Sequence, residues 1–339
     1  MKKTFKSILL GGAFLLALPV LLTSCDPYLD DIFGHWERPA PVNPNPTPDP
    51  MMKETPLTLE AKTAGAVVTF IADDDAFEKT VEYSTDGGTT WTSGSTNKTA
   101  GGISVTLDNA GDKVMFRGTN DAYGNAIYYN SITCDKDCYV YGNIMSLINK
   151  DNFATNTELT ADGAFYNLFK GNGALYFHDT KTLELPATAL TNGCYQQMFM
   201  DCIKITKAPT LSATTLKDHC YEGMFQGCTA LTTIQEELPA TSLVSYCYFS
   251  MFEGCTALEK APKLPATVLA SYCYQSMFRN CTKLNEVWVK AAYADGSMQC
   301  AYMFNGCTDA STSIFHGADA ANYKTNFTGL ASWTADTTY

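Results

Sequence analysis

The chain has 339 residues, 13 of them cysteine, and a formal net charge of −12 from 35 acidic and 23 basic side chains. That balance excludes nucleic acid as a partner, because phosphate neutralisation demands a basic footprint. The four histidines, His35, His178, His219 and His316, stand far apart in no nucleophile or metal motif, and no phosphate-binding loop occurs, so neither an enzyme nor a cofactor is expected.

Lys2, Lys3 and Lys6 precede an apolar run from Ile8 to Leu22 that ends in Leu22-Thr23-Ser24-Cys25. Residues 1–24 read as a secretory signal, too short for a spanning helix. The ending resembles a bacterial lipobox, which implies cleavage before Cys25 and lipidation of its thiol. Residues 25–56 are then the lipidated cysteine and a linker carrying Pro39, Pro41, Pro44, Pro46, Pro48, Pro50 and Pro56. Proline at that density favours polyproline II at roughly 3.1 Å per residue, so a dozen residues form a stalk of roughly 35 Å. No other apolar stretch approaches membrane-spanning length, which leaves the lipid as the only expected anchor.

Residues 57–135 are short β-branched and aromatic segments, LTLEA, AVVTFIA, KTVEYST, ISVTL and KVMFRGT, separated by turn residues. The spacing predicts an all-β sandwich, immunoglobulin-like. Ser84-Thr85-Asp86-Gly87-Gly88-Thr89-Thr90-Trp91 matches the S-x-D-x-G-x-T-W pattern of the Asp-box turn. One copy cannot build a propeller, and the reading is a structural hairpin in which glycine accepts positive φ and Trp91 packs over the turn. Asp73-Asp74-Asp75 lacks the alternating spacing of a calcium loop and reads as a solvated turn.

From residue 136 the chain repeats. Copies aligned on Met-Phe begin at Met198, Met224, Met251, Met277 and Met303, and a cysteine moves with them: Cys202, Cys228, Cys255, Cys281 and Cys307. Leu-Pro-Ala-Thr recurs at Leu185, Leu238 and Leu264. A fixed period in the twenties is the mark of stacked repeats. On an α-helix, Cys220, Tyr221, Met224, Phe225 and Cys228 share one arc of roughly 140°, which predicts an amphipathic helix ending at the Gly-Cys step. Each repeat then reads as a strand-turn-helix unit. MFQGCTALTTIQEELPATSL and MFEGCTALEKAPKLPATVL resemble the BspA-like leucine-rich repeats of Gram-negative surface lipoproteins, whose units run roughly F-x-x-C-T-x-L-T-x-x-x-L-P-x-x. The likeness is strong over 185–308 and weak over 140–184. The expected fold class is therefore multidomain, the sandwich followed by an α/β leucine-rich-repeat solenoid over 136–310 with a divergent first copy and a C-terminal cap over 311–339. In that family the cysteine before threonine packs inside the coil.

The repeat cysteines read as a buried ladder. Disulfides within or between neighbouring repeats and a metal site are the alternatives. Cysteines eight apart on a helix lie about 12 Å apart along its axis, too far to bond. No histidine recurs to complete a zinc site. The earliest copy, AFYNLFKGNGAL, has Ala164 and Asn172 at the cysteine places. Cys134 and Cys138, in CDKDC, are candidates for a small disulfide. Trp288 and Trp333 read as cap residues, and Tyr195, Tyr221, Tyr248 and Tyr274 as a mostly buried row.

What remains for function is surface. Lys207, Thr233, Lys260, Glu286 and Trp288 form the candidate recognition face. The family resemblance implies a lipid-anchored outer-membrane protein, exposed at the cell surface, that serves adhesion or macromolecular recognition toward an unidentified protein or glycan. The alternative is a glycan-capturing accessory protein of a nutrient-uptake system.

Overall fold

The computed structural model describes residues 50–293, 298–308 and 312–339, all within one compact unit, Pro46–Tyr339. The expected signal segment, Cys25 and most of the proline-rich linker lie outside the described residues. No helix among the described residues is long and apolar enough to cross a membrane.

A one-turn helix α1 (Pro50–Lys53) leads into β1 (Leu57–Ala61), β2 (Ala66–Ala72), β3 (Thr80–Ser84), β4 (Thr92–Ser95), β5 (Ile103–Leu107), β6 (Lys113–Arg117), β7 (Asn130–Cys134) and β8 (Cys138–Asn143). Burial alternates residue by residue along β2, β5 and β6, as the two-residue period of a pleated strand requires. The sheet β4-β3-β6-β1-β8 and the sheet β5-β2-β7 meet through side chains such as Phe70 and Phe116, whose rings pack edge to face at 5.5 Å. Both are fully buried, and each such phenyl contributes roughly 1.5–3 kcal/mol.

This all-β region does not have immunoglobulin pairing. In an immunoglobulin sandwich the first strand lies beside the second and the last beside the sixth. Here β1 pairs with β6 (Leu59↔Val114) and β7 with β2 (Phe70↔Ile132), so the first and last strands have exchanged sheets. The exchange leaves the second edge of β1 for β8 (Leu59↔Val140). The far edge of β8 carries β9 (Leu175–Phe177) and β10 (Leu183–Glu184) in parallel. One sheet thus runs from the sandwich into the repeats.

The expected α/β leucine-rich-repeat solenoid is overturned. Regular structure among the described residues is mostly β-sheet. The two α-helices there are α1 and the seven-residue α2 (Ala320–Asn326), and neither falls in a repeat. The segment predicted helical, Cys220 to Cys228, instead follows a run of consecutive turns over residues 218–227. Its φ is positive at His219, Gly223 and Gly227, and the next copies repeat this at Tyr246, Ser250 and Gly254 and at Tyr272, Ser276 and Asn280. A left-handed residue at every fourth position is incompatible with a right-handed helix. The amides then alternate. Met224 and Cys228 donate to Tyr221 and Phe225 three residues back, at 3.3 and 3.1 Å. Tyr221 and Phe225 donate to Cys247 and Met251 of the next repeat, at 3.1 and 2.9 Å. Half of the backbone donors are spent between repeats, where a helix would keep them all within itself.

Inside the stack, equivalent aromatic residues lie face to face. Phe199, Phe225, Phe252 and Phe278 are spaced by 5.6, 5.7 and 5.7 Å, and Tyr195, Tyr221, Tyr248 and Tyr274 by 5.7, 5.8 and 6.2 Å. At one end the stack abuts the sandwich: Ile132 of β7 donates to Leu168 O at 2.7 Å, and Asn172 Nδ2 donates to Ile132 O at 3.2 Å. At the other end β11 (Glu286–Trp288), β12 (Ile314–His316) and β13 (Thr334–Asp336) form a parallel sheet, with α2 against it through Tyr323 and Phe315, 5.0 Å apart.

Candidate recognition cleft

Each repeat contributes a short extended segment after its cysteine, and these segments bridge in parallel. Lys207 pairs with Thr233, Lys260 with Glu286, Glu237 with Lys263 and Leu264 with Val289. The period therefore places equivalent residues side by side on one face. Thr233, Lys260 and Glu286 occupy successive equivalent positions there.

A cleft of about 450 Å³ opens on this face across the segments 232–236 and 259–263, with Trp288 at one end. Thr233, Lys260 and Trp288 line it, together with Thr232 and Glu259. Glu286 stands behind, its carboxylate 2.5 Å from the Lys260 ammonium. Lys207 does not line the cleft; its ammonium donates to the His178 carbonyl at 2.7 Å, one segment toward the sandwich. Trp288, expected as a cap, is half-buried and forms a wall, whereas Trp333 is fully buried and donates Nε1–H to Thr308 O at 3.2 Å.

The indole of Trp288 is rigidly backed. His316 stacks on it at 4.6 Å with the planes 6° apart, and the imidazole is held by Asp336 Oδ2 at 2.9 Å from Nδ1, while its buried Nε2, 3.5 Å from Glu286 Oε1, makes no hydrogen bond. On the cleft side Lys263 places its ammonium 5.7 Å from the indole centroid and 2.8 Å from Glu236. Their mutual hydrogen bond raises the Lys263 pKa and lowers that of Glu236. The cleft thus combines one aromatic wall, two aliphatic side chains (Ile234 and Ala261), hydroxyl and amide groups, and charges largely balanced in pairs. This is binding chemistry.

Lys263, Glu236 and His316 were not singled out from the sequence. The first two follow from the same period as Thr233 and Lys260, three residues further along each segment. His316 follows the last Met-Phe copy, but 13 residues beyond Met303 where Trp288 lies 11 beyond Met277, so the period alone does not place it opposite the indole.

Toward the sandwich the same face is closed by its own contacts. Lys62 sits 3.3 Å from the Tyr176 ring centroid, Lys181 pairs with Glu60 at 2.7 Å and Lys204 with Asp137 at 2.5 Å.

The five ladder cysteines, Cys202, Cys228, Cys255, Cys281 and Cys307, are buried free thiols, and each donates to a phenylalanine carbonyl of the preceding repeat at 3.0–3.2 Å. Cys134 and Cys138, at the facing ends of β7 and β8, are also free thiols. The hydrogen bond between them lowers the Cys134 pKa and raises that of Cys138. Among the described residues no group of three His, Cys, Asp or Glu side chains is placed to hold a metal ion.

No family model matches the chain, and no curated protein or solved structure matches it.

Proposed function

We propose that the chain is an exported protein, anchored through a lipid on Cys25 to the outer membrane at the cell surface, that binds a macromolecule through the cleft at Thr233, Lys260 and Trp288 and performs no catalysis. One observation carries this reading. Inward positions of the repeats keep the same residue types, while Thr233, Lys260 and Glu286 differ in chemistry at equivalent outward places on one face. Packing dictates the first set and leaves the second free to specify a ligand. The N-terminal lipobox resemblance supports the anchor, and the sequence likeness to BspA-like surface proteins supports adhesion or recognition as the role.

The test is binding of the full chain, extracted in detergent, to immobilised matrix proteins, mucins, polysaccharides and whole bacterial and host cells. Saturable binding to at least one, weakened by substitutions at Thr233, Lys260 and Trp288, is the expected result. Absence of saturable binding across the panel overturns the reading.

A further inference from the structure

We infer that the ligand of this cleft is a glycan, one pyranose ring of which lies on the side of Trp288 that His316 leaves free. The inference rests on the recognition reading above and adds the chemical class of the ligand.

Three observations converge. The first is the aromatic wall. His316 belongs to the strand after Trp288, and the cleft lies over the two segments before it, so the other side of the indole faces the cleft, where a sugar would share it with the Lys263 ammonium 5.7 Å from the centroid. A pyranose has an apolar C–H side that suits the electron-rich π face of an indole. Because His316 is itself fixed by Asp336, the wall is held in place before any ligand arrives, which reduces the ordering cost of binding.

The second is charge. Lys260 is paired with Glu286 and Lys263 with Glu236, so both lysines already have carboxylate partners. That leaves no cationic cluster for a phosphate or a polyanion. It does leave rim groups suited to sugar hydroxyls: Thr233, Glu259 and the exposed ammonium of Lys260. The volume of the cleft falls within the range of about 300–1,000 Å³ usual for small-ligand pockets.

The third disfavours a peptide. An extended peptide docks by adding a strand to unpaired backbone groups. The two segments under this cleft are already bonded on their outer sides, Ala208 N–H to Thr233 O at 2.8 Å and Ala261 N–H to Glu286 O at 2.9 Å, and to each other at its end, Lys263 N–H to Glu236 O at 2.8 Å.

The full chain in detergent is applied to an array of host, plant and bacterial glycans, and the best binder is titrated against the wild type, Trp288→Ala and Trp288→Phe. The expected result is saturable glycan binding, weakened at least tenfold in Trp288→Ala and much less in Trp288→Phe, which keeps an aromatic face. Glycan should also change the indole emission of the wild type and leave that of Trp288→Phe unchanged, a readout independent of whether Trp288→Ala folds. Binding to proteins with no glycan bound overturns the inference and leaves the recognition reading standing. No binding to either class overturns both. Glycan binding that is indifferent to both substitutions, with no emission change, overturns the placement at this cleft.

Discussion

The thiol of Cys255 donates to the carbonyl oxygen of Phe225, 3.2 Å away in the preceding repeat. That carbonyl also accepts the N–H of Cys228 at 3.1 Å, so one oxygen ties a turn to itself and to the next repeat. Replacing Cys255 with alanine removes the second bond and leaves a void of thiol size. The expected loss is roughly 1–2 kcal/mol in urea denaturation, and serine, which keeps a donor, should lose less. Burial also pushes the thiols toward the un-ionised form, Cys194 up to about 12. The repeat cysteines should therefore resist a disulfide reagent at pH 8 in the native chain and react once it is unfolded. Reaction under native conditions at the unfolded rate would refute the buried ladder.

Tyr248 illustrates the opposite case, a buried polar group without a partner. Its ring stacks between Tyr221 and Tyr274, but its hydroxyl makes no hydrogen bond. Such a hydroxyl costs more than it returns. Tyr248→Phe keeps both stacking contacts and is expected to raise stability by roughly 1 kcal/mol, read as a higher urea midpoint at unchanged slope.

Local patterns were legible in the sequence, and partner choice was not. Five sandwich strands stood out through β-branched and aromatic residues set between turn residues, but β4, with the polar sequence TSGS, is a strand only because β3 pairs with it. The exchange of β1 and β7 between sheets is a long-range choice without a local mark. In the repeats, the burial of residues 220, 221, 224, 225 and 228 fits a period of 3.6 and a period of 4 equally well over nine residues. The distinguishing signal was the mixture of Gly, Asn, Asp and Ser at every fourth position, where left-handed φ is tolerated. His219, Tyr246 and Tyr272 at the same places obscured it. The cleft inherits the period, so Thr233 and Lys260 could be anticipated, whereas the His316 backing of Trp288 depends on the last copy reaching its strand two residues later than the period gives.

Gly227 tests the left-handed backbone of the turns directly. Its φ is +74°, and an added Cβ would lie 2.1 Å from Asp201 Oδ1. The exposed carboxylate can move aside, so the remaining cost is that of left-handed backbone. Gly227→Ala is expected to destabilise by roughly 1–2 kcal/mol, and Gly227→Asn by less, since asparagine visits this region more readily. A helix capped at Gly227 would give the same order, so the separating variant is Gly223→Ala, inside the segment at φ +57°: it destabilises consecutive turns and would stabilise a helix, because alanine is the better helix former. Chemical denaturation of Gly223→Ala separates the geometries.

Trp333 closes the C-terminal end. It is fully buried behind β13, and its indole N–H is bonded to Thr308 O. Trp333→Ala is expected to cost roughly 3–5 kcal/mol and to speed hydrogen exchange in α2 and β13 before the sandwich is affected. Uniform acceleration across the chain would show instead that the end is not a separable cap.

Asp86 gives the pH dependence a defined direction. In the β3–β4 hairpin its carboxylate accepts from the Thr90 hydroxyl at 2.6 Å, from the Thr90 amide at 2.9 and 3.0 Å and from the Ser84 hydroxyl at 2.7 Å. These bonds, the Thr90 hydroxyl foremost, lower its pKa to about 2, against about 3.9 for an unfolded aspartate. A depressed carboxylate stabilises the fold fully above the unfolded value and loses that contribution as pH falls through the folded one. Asp86→Asn should therefore melt below the wild type at pH 7, and the gap should narrow between pH 4 and pH 2. The Trp91 indole, which donates to Gly88 O at 2.9 Å beneath the Arg117 guanidinium, supplies a fluorescence signal for the hairpin. A gap that stays constant over that range would show that the carboxylate charge contributes nothing to the turn.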